Sequence, residues 1–168
     1  IASSSLGTGK PFSKEIYKAA LKLQSALDEV IGLNEIDYKA AEENTSTTLV
    51  GNVLVVDDDN CNRMVAKMLL NKLGLTVNIA KDGAEAMEAL NRDQYDLVLM
   101  DLQMPDGDGF IISKAIRNKG LDIPIVALTA DLSSGTRRKC REVGMVGYLT
   151  KPIIPKKLKL TLAQWLSE

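Results

Sequence analysis

From about residue 49 onward, short runs of β-branched and other apolar residues alternate with longer stretches in which apolar positions recur every three or four residues. The runs fall at 53–56 (VLVV), 76–80 (TVNIA), 96–100 (DLVLM), 124–128 (PIVAL) and 146–150 (VGYLT). The spacing between them predicts helices over 61–73, 83–91, 109–118, 134–143 and 156–166. Strands that alternate with helices in this way build βαβ units and a mainly parallel sheet. Local punctuation agrees. Gly74 and Gly144 follow helical stretches, where a residue able to turn left-handed is wanted, and Asp82 and Ser133 are placed to cap the helices they precede. Pro124 opens a strand, where a missing N–H does least harm. The expectation is an α/β domain over 49–168: a doubly wound, five-stranded parallel sheet in the flavodoxin-like order 2-1-3-4-5, with ligands at the C-terminal ends of the strands.

Residues 1–48 break the pattern. A Ser/Gly-rich start, IASSSLGTGK, reads as a flexible tail. Ser13 is placed to cap a helix over 14–31, along which Ile16, Ala20, Leu23, Leu27 and Val30 step by alternating fours and threes. About two heptads of this seam fall short of the three or four that argue a coiled coil. An amphipathic helix laid against the domain or a second short helix at 34–43 stays open beside a dimerising or upstream-domain remnant. ENTSTT at 43–48 reads as a linker. The first residue is Ile1, not Met, as expected of a fragment or a processed chain.

Charge and cysteine content narrow the setting. A net charge of −1 sets up no field that would attract nucleic acid or an anionic membrane. Cys61 and Cys140 stand far apart and form no CxxC pair, which suits a reducing, cytoplasmic compartment better than a disulfide scaffold. No apolar stretch approaches the ~20 residues of a membrane span, and no signal peptide opens the sequence. The chain has no histidine. Any mechanism that needs a histidine nucleophile, base or metal ligand is therefore excluded within this chain.

The chemistry is concentrated at the strand ends. Asp57, Asp58 and Asp59 follow the first strand, Asp101 ends the third, Thr129 the fourth and Lys151 the fifth. In the 2-1-3-4-5 order these ends share one rim. Carboxylates crowded together raise one another's pKa unless something compensates. A hard divalent cation such as Mg²⁺, bound through one or two carboxylates and water, is one compensator, and the Lys151 ammonium is another. A metal, a carboxylate nucleophile, a hydroxyl and an ammonium together suit in-line phosphoryl transfer to Asp101.

The four segments VLVVDDDNCNR, DLVLMDLQMPDGDG, PIVALTAD and GYLTKPI, in this order, resemble the receiver domains of two-component response regulators, most closely those at the C-terminus of hybrid sensor histidine kinases. The resemblance implies a phosphorelay receiver that takes a phosphoryl group from a phosphohistidine donor, either a histidine kinase or a histidine phosphotransfer protein, and that loses it slowly by itself. It implies Asp101 as phosphoacceptor and Mg²⁺ (or Mn²⁺) as cofactor. The metal would be held by Asp57, Asp58, Asp101 and the backbone carbonyl of Gln103. It further implies Lys151 as the partner of the phosphoryl group, Thr129 and Tyr148 as the switch pair, Gln103 and Asp131 as residues that tune phosphoryl lifetime, and a cis Lys151–Pro152 bond. Asp59, Gly107 and Val146 depart from the family's commoner wording (Asn, Met and Asp), and none of the three removes a reacting group.

Plainer readings compete. Asp57 and Asp58 could simply cap the following helix. Asp106 and Asp108 with Gly107 and Gly109 hint at a calcium loop, but Met104 and Ala115 occupy its first and last ligand positions, so the segment reads as a turn. GTGK at 7–10 lacks the hydroxyl residue and the preceding strand of a phosphate loop. A Mg²⁺-dependent hydrolase working through an aspartyl phosphate needs an acid two residues beyond the nucleophile, where Gln103 stands. A flavin-nucleotide carrier needs a first loop that welcomes phosphate, and DDDNCN repels it. A receiver within a hybrid kinase and a stand-alone receiver both remain open.

Overall fold

The computed structural model describes residues 48–105 and 109–166. The readings made above for the N-terminal tail, its helices, most of the linker and the turn at 106–108 lie outside them. Five strands, β1 (Asn52–Val56), β2 (Thr76–Ala80), β3 (Leu97–Asp101), β4 (Ile125–Thr129) and β5 (Gly147–Thr150), alternate with five helices. These are α1 (Asn60–Lys72), α2 (Gly83–Arg92), α3 (Gly109–Asn118), α4 (Ser134–Glu142) and α5 (Pro155–Leu162). All neighbouring strands pair in parallel, in the order β2-β1-β3-β4-β5.

The order follows from hydrophobicity. Every residue of β3 and β4 is buried, as is β1 from Val53 onward, whereas β2 and β5 each mix exposed, half-buried and buried positions. Continuous apolar runs go to the middle of a sheet covered on both faces, and the mixed runs go to its edges. On one face Leu54, Val56, Val98 and Met100 pack with Ala86 and Ala89 of α2 and Ile112 and Ile116 of α3. Alternation turns Val53, Val55, Leu97 and Leu99 to the other face. Leu70 of α1 and Leu158 and Leu162 of α5 are fully buried.

Asp82 and Ser133 cap α2 and α4, accepting from the Glu85 and Thr136 N–H groups at 2.8 and 3.3 Å. Gly74 and Gly144 adopt φ of +91° and +76° just past α1 and α4, where a side chain would be strained. Several boundaries differ from the sequence reading, most by a single residue. Asp96 leaves β3 because its carboxylate accepts the Asn52 N–H at 2.7 Å, and the strand runs instead to Asp101. Pro124 stays outside β4, offering only its carbonyl to the Val98 N–H at 2.9 Å. Helix α5 ends at Leu162 rather than 166, and Trp165 N–H bonds back to the Leu162 carbonyl in a tightened final turn.

Candidate functional site

Register brings the strand ends together. Val56 pairs with Met100, Asp101 with Leu128 and Thr129 with Thr150. Asp57 is held just past β1 by its N–H, which donates to the Ala80 carbonyl at 3.2 Å. Lys151 is held past β5 by its N–H, which donates to the Thr129 carbonyl at 2.9 Å. The Lys151–Pro152 bond is cis.

Asp57 and Asp101 are buried and Asp58 is exposed, yet each of the three offers an oxygen within 4.8 Å of the others. The Lys151 ammonium bridges the two buried acids, 2.7 Å from Asp57 Oδ2 and 2.7 Å from Asp101 Oδ2. The remaining oxygens are also engaged. Asp101 Oδ1 accepts the Gln103 N–H at 3.0 Å, and Asp57 Oδ1 accepts the Asp59 N–H at 2.9 Å and the Asn62 amide at 3.3 Å.

Burial pushes the Asp101 carboxyl above its ordinary 3.8. Hydrogen bonds from Lys151 and the Gln103 N–H pull the other way, and the charge of Asp57 adds only a small push upward. The mutual repulsion expected from the sequence is therefore the minor cause, and desolvation the major one. Burial works against the Lys151 ammonium, but hydrogen bonds to Asp101 and Asp57 outweigh it, so this group titrates above its ordinary 10.5.

Capping of α1 falls to neither Asp57 nor Asp58. Asp59 does it, its Oδ1 accepting the Asn62 N–H at 2.8 Å. Its carboxylate is committed to the helix end. Thr129 is buried at the end of β4, and its hydroxyl is occupied within its own loop. It donates to the Asp131 carbonyl and accepts from the Asp131 N–H, both at 3.0 Å. The Asp131 carboxylate turns to the start of α4, accepting from the Thr136 hydroxyl at 2.7 Å and from the Ser133 N–H and hydroxyl at 2.8 and 3.0 Å. Those bonds, Thr136 foremost, hold its carboxyl below the ordinary range. Tyr148 is 42% exposed on the edge strand and lines a groove with Arg137, Arg141 and Met145. Asp57, Asp101, Gln103 and Lys151 are thus joined by contacts in one cluster with an Asp58 oxygen close by, while the side chains of Thr129 and Asp131 bond within their own loop and to the start of α4, and Tyr148 lies on the edge strand.

Two contributors escaped the sequence reading. Arg63 Nη1 donates to the Asp57 carbonyl at 2.6 Å, and Nη2 to Asn60 Oδ1 at 3.3 Å. The available signal was a cation in the first turn of a helix, where the macrodipole disfavours it. Gly109 opens α3 so close to β3 that a Cβ on it would overlap the Asp101 carbonyl. Its signal was a glycine at a helix start, read as part of a turn.

Three mutually close carboxylate oxygens, one exposed and two shielded, form a hard donor set that fits a small divalent cation completed by water. Beside it, a carboxylate whose counter-charge is an ammonium can act as a nucleophile toward an anionic group that both cations neutralise.

Comparison with known proteins gives a consistent picture. The family model of the response regulator receiver domain matches residues 53–163. Histidine kinase 5 of Arabidopsis thaliana is 31% identical over 95% of the chain, which spans 21% of that relative. Sensor histidine kinase RcsC of Salmonella typhi is 39% identical over 66% of the chain, which spans 12% of it. Among solved structures, the receiver domain of sensor histidine kinase PA1611 from Pseudomonas aeruginosa, with magnesium coordinated in its active-site cleft, is 36% identical. It superposes with a TM-score of 0.63, covering 68% of this chain and 96% of that one. The receiver domain of Ssk1 from Saccharomyces cerevisiae, co-crystallised with the histidine phosphotransfer protein Ypd1, is 31% identical with a TM-score of 0.67. It covers 71% of this chain and 91% of that one.

Proposed function

The chain belongs to the response regulator receiver family, and we propose that within it Asp101 accepts a phosphoryl group from a phosphohistidine carried by a histidine kinase or a histidine phosphotransfer protein. A carboxylate oxygen of Asp101 bonds to phosphorus as the bond from phosphorus to the donor's imidazole nitrogen breaks, and the electron pair leaves with the imidazole. The chain lacks histidine, so the donor is another protein or another part of a longer one. Asp57, Asp58 and Asp101, with the Gln103 carbonyl, would hold Mg²⁺ or Mn²⁺, which when bound neutralises phosphoryl oxygens. The Lys151 ammonium would do the same, exchanging its contact with the Asp101 carboxylate for one with the incoming phosphoryl group. The Thr129 hydroxyl then leaves the Asp131 main chain for a phosphoryl oxygen, and Tyr148 follows it inward from the edge strand. Gln103 and Asp131 set how readily water reaches the acyl phosphate.

The observation that carries this reading is the convergence of the three carboxylates within 4.8 Å, with Lys151 bridging the two buried ones. Similarity to the PA1611 receiver supports the cation, and similarity to the Ssk1 receiver supports the phosphohistidine donor. Similarity to histidine kinase 5 and RcsC supports a wider setting in which 49–168 is the receiver of a hybrid histidine kinase; we place that receiver in the cytoplasm, with 1–48 as its link to the kinase body. Among the described residues, no helix is long and apolar enough to cross a membrane.

The test is phosphorylation by acetyl phosphate with Mg²⁺. Wild type labels at Asp101 and binds beryllofluoride, and Asp101→Asn does neither. An Asp101→Asn variant that still labels at full stoichiometry overturns the assignment.

A further inference from the structure

We propose that Arg63 is a positioning residue for the cation site, clamping the β1–α1 loop so that Asp57 and Asp58 are set before any cation arrives. This rests on the reading of Asp57 and Asp58 as cation ligands.

The loop has only three residues, Asp57–Asp59, between β1 and α1, and all three are acidic. Left alone, such a segment would spread to separate its charges. The structure shows it fastened at several points. Asp59 is committed to the helix end, and its N–H closes back on Asp57 Oδ1. The Arg63 fork then ties the Asp57 main-chain carbonyl to the Asn60 side chain, one nitrogen to each. Helical side chains slant toward the N-terminus, which is how a residue one turn into α1 reaches the loop before it. The contact is to main chain, so what it fixes is the path of the backbone between the two acids. Asn62, on the same turn, holds the Asp57 carboxylate itself. A guanidinium suits this task because its planar fork satisfies two acceptors at once, and because it stays charged at every working pH.

Electrostatics and positioning predict opposite signs, which makes the idea decidable. Arg63 is a cation beside a cation site. Were its charge all that mattered, removing it would tighten Mg²⁺ binding. If it positions the loop, removing it weakens binding, as loss of groups that orient metal ligands commonly does by about 10- to 100-fold.

The experiment titrates Mg²⁺ calorimetrically into the whole chain as wild type, Arg63→Met and Arg63→Lys. Methionine keeps the length and helix propensity without the fork, and lysine keeps the charge and one contact. We expect Arg63→Met to bind Mg²⁺ about tenfold more weakly, with Arg63→Lys in between. In Mg²⁺-free buffer, amide hydrogen exchange at Asp59 should quicken in Arg63→Met while exchange in β3 and the melting temperature stay as in wild type. Unchanged or tighter Mg²⁺ binding by Arg63→Met overturns the proposal, as does faster exchange spread equally over β3. A wild-type chain that takes up no Mg²⁺ overturns the underlying cation reading and this inference with it. A wild type that binds normally beside an unaffected Arg63→Met removes the inference alone.

Discussion

Lys151 and Asp57 lie 94 residues apart in sequence, yet the ammonium of one donates to the carboxylate of the other at 2.7 Å. The same nitrogen lies 2.7 Å from Asp101, so one cation stands between two buried anions. Taking away one member of such a group leaves the others uncompensated, which in fully buried pairs costs about 3–5 kcal/mol. Lys151 is 22% exposed, and the orphaned acids can take up a proton. Lys151→Ala should therefore stay folded, losing about 1–3 kcal/mol in Mg²⁺-free urea titrations. Added Mg²⁺ should restore part of this, and the conformational response to beryllofluoride should be blunted. An unaltered response would show that Lys151 is misassigned.

The pH dependence of the site has a definite sign. Asp101 titrates above its ordinary 3.8 because burial disfavours its charge. The folded state thus takes up this proton more readily than the unfolded one, and the proton competes with Mg²⁺. Calorimetric Mg²⁺ affinity should fall as pH is lowered, starting above the range of an ordinary aspartate. Lys151 gives the opposite limb. Its folded pKa lies above 10.5, so its contribution to stability is whole below that pH and is lost as pH rises through the folded value. Urea titrations in strong alkali should show the decline, and Lys151→Ala should remove it.

Gly109 and Gly135 should respond oppositely to alanine. A Cβ on Gly109 meets the Asp101 main chain, which cannot step aside without moving the proposed phosphoacceptor. Gly109→Ala should cost about 1–3 kcal/mol and slow labelling by acetyl phosphate. Gly135 lies within α4 with its nearest neighbour, Ser133 Oγ, at 3.9 Å. Gly135→Ala should stabilise by up to about 1 kcal/mol through helix propensity alone and leave labelling unchanged.

Asp58 separates binding from folding. It is exposed, whereas Asp57 is buried against Lys151. Asp58→Asn should weaken Mg²⁺ binding by tenfold or more with no loss in melting temperature. Asp57→Asn should lower the melting temperature as well. Equal thermal losses in the two variants would contradict this division of labour.

The parts of this site that could be read in the sequence are those fixed by strand order. Continuous apolar runs placed β1, β3 and β4 in the middle of the sheet, and each strand's last residues then had one place to go. Asp57, Asp101, Thr129 and Lys151 were legible for that reason. What a side chain touches once it arrives was not. Thr129 and Asp131 satisfy one another and the start of α4, a choice made by loop geometry that no periodicity encodes. Arg63 looked like any exposed helix residue, because its task depends on how the preceding loop bends. The end of α5 was misjudged for a similar reason: its apolar spacing continues to Leu166, which is buried from a tightened turn as readily as from a helix.

The Thr129 hydroxyl enters its proposed role already satisfied at both ends. Reaching toward a phosphorylated neighbour is then an exchange of partners, and exchanges of this kind leave a net difference of only about 0.5–1.5 kcal/mol. The resting and signalling forms would be near neighbours on the energy scale. A docking protein that favours either one could tip the balance, so the domain's set point would lie partly in the hands of whatever binds it.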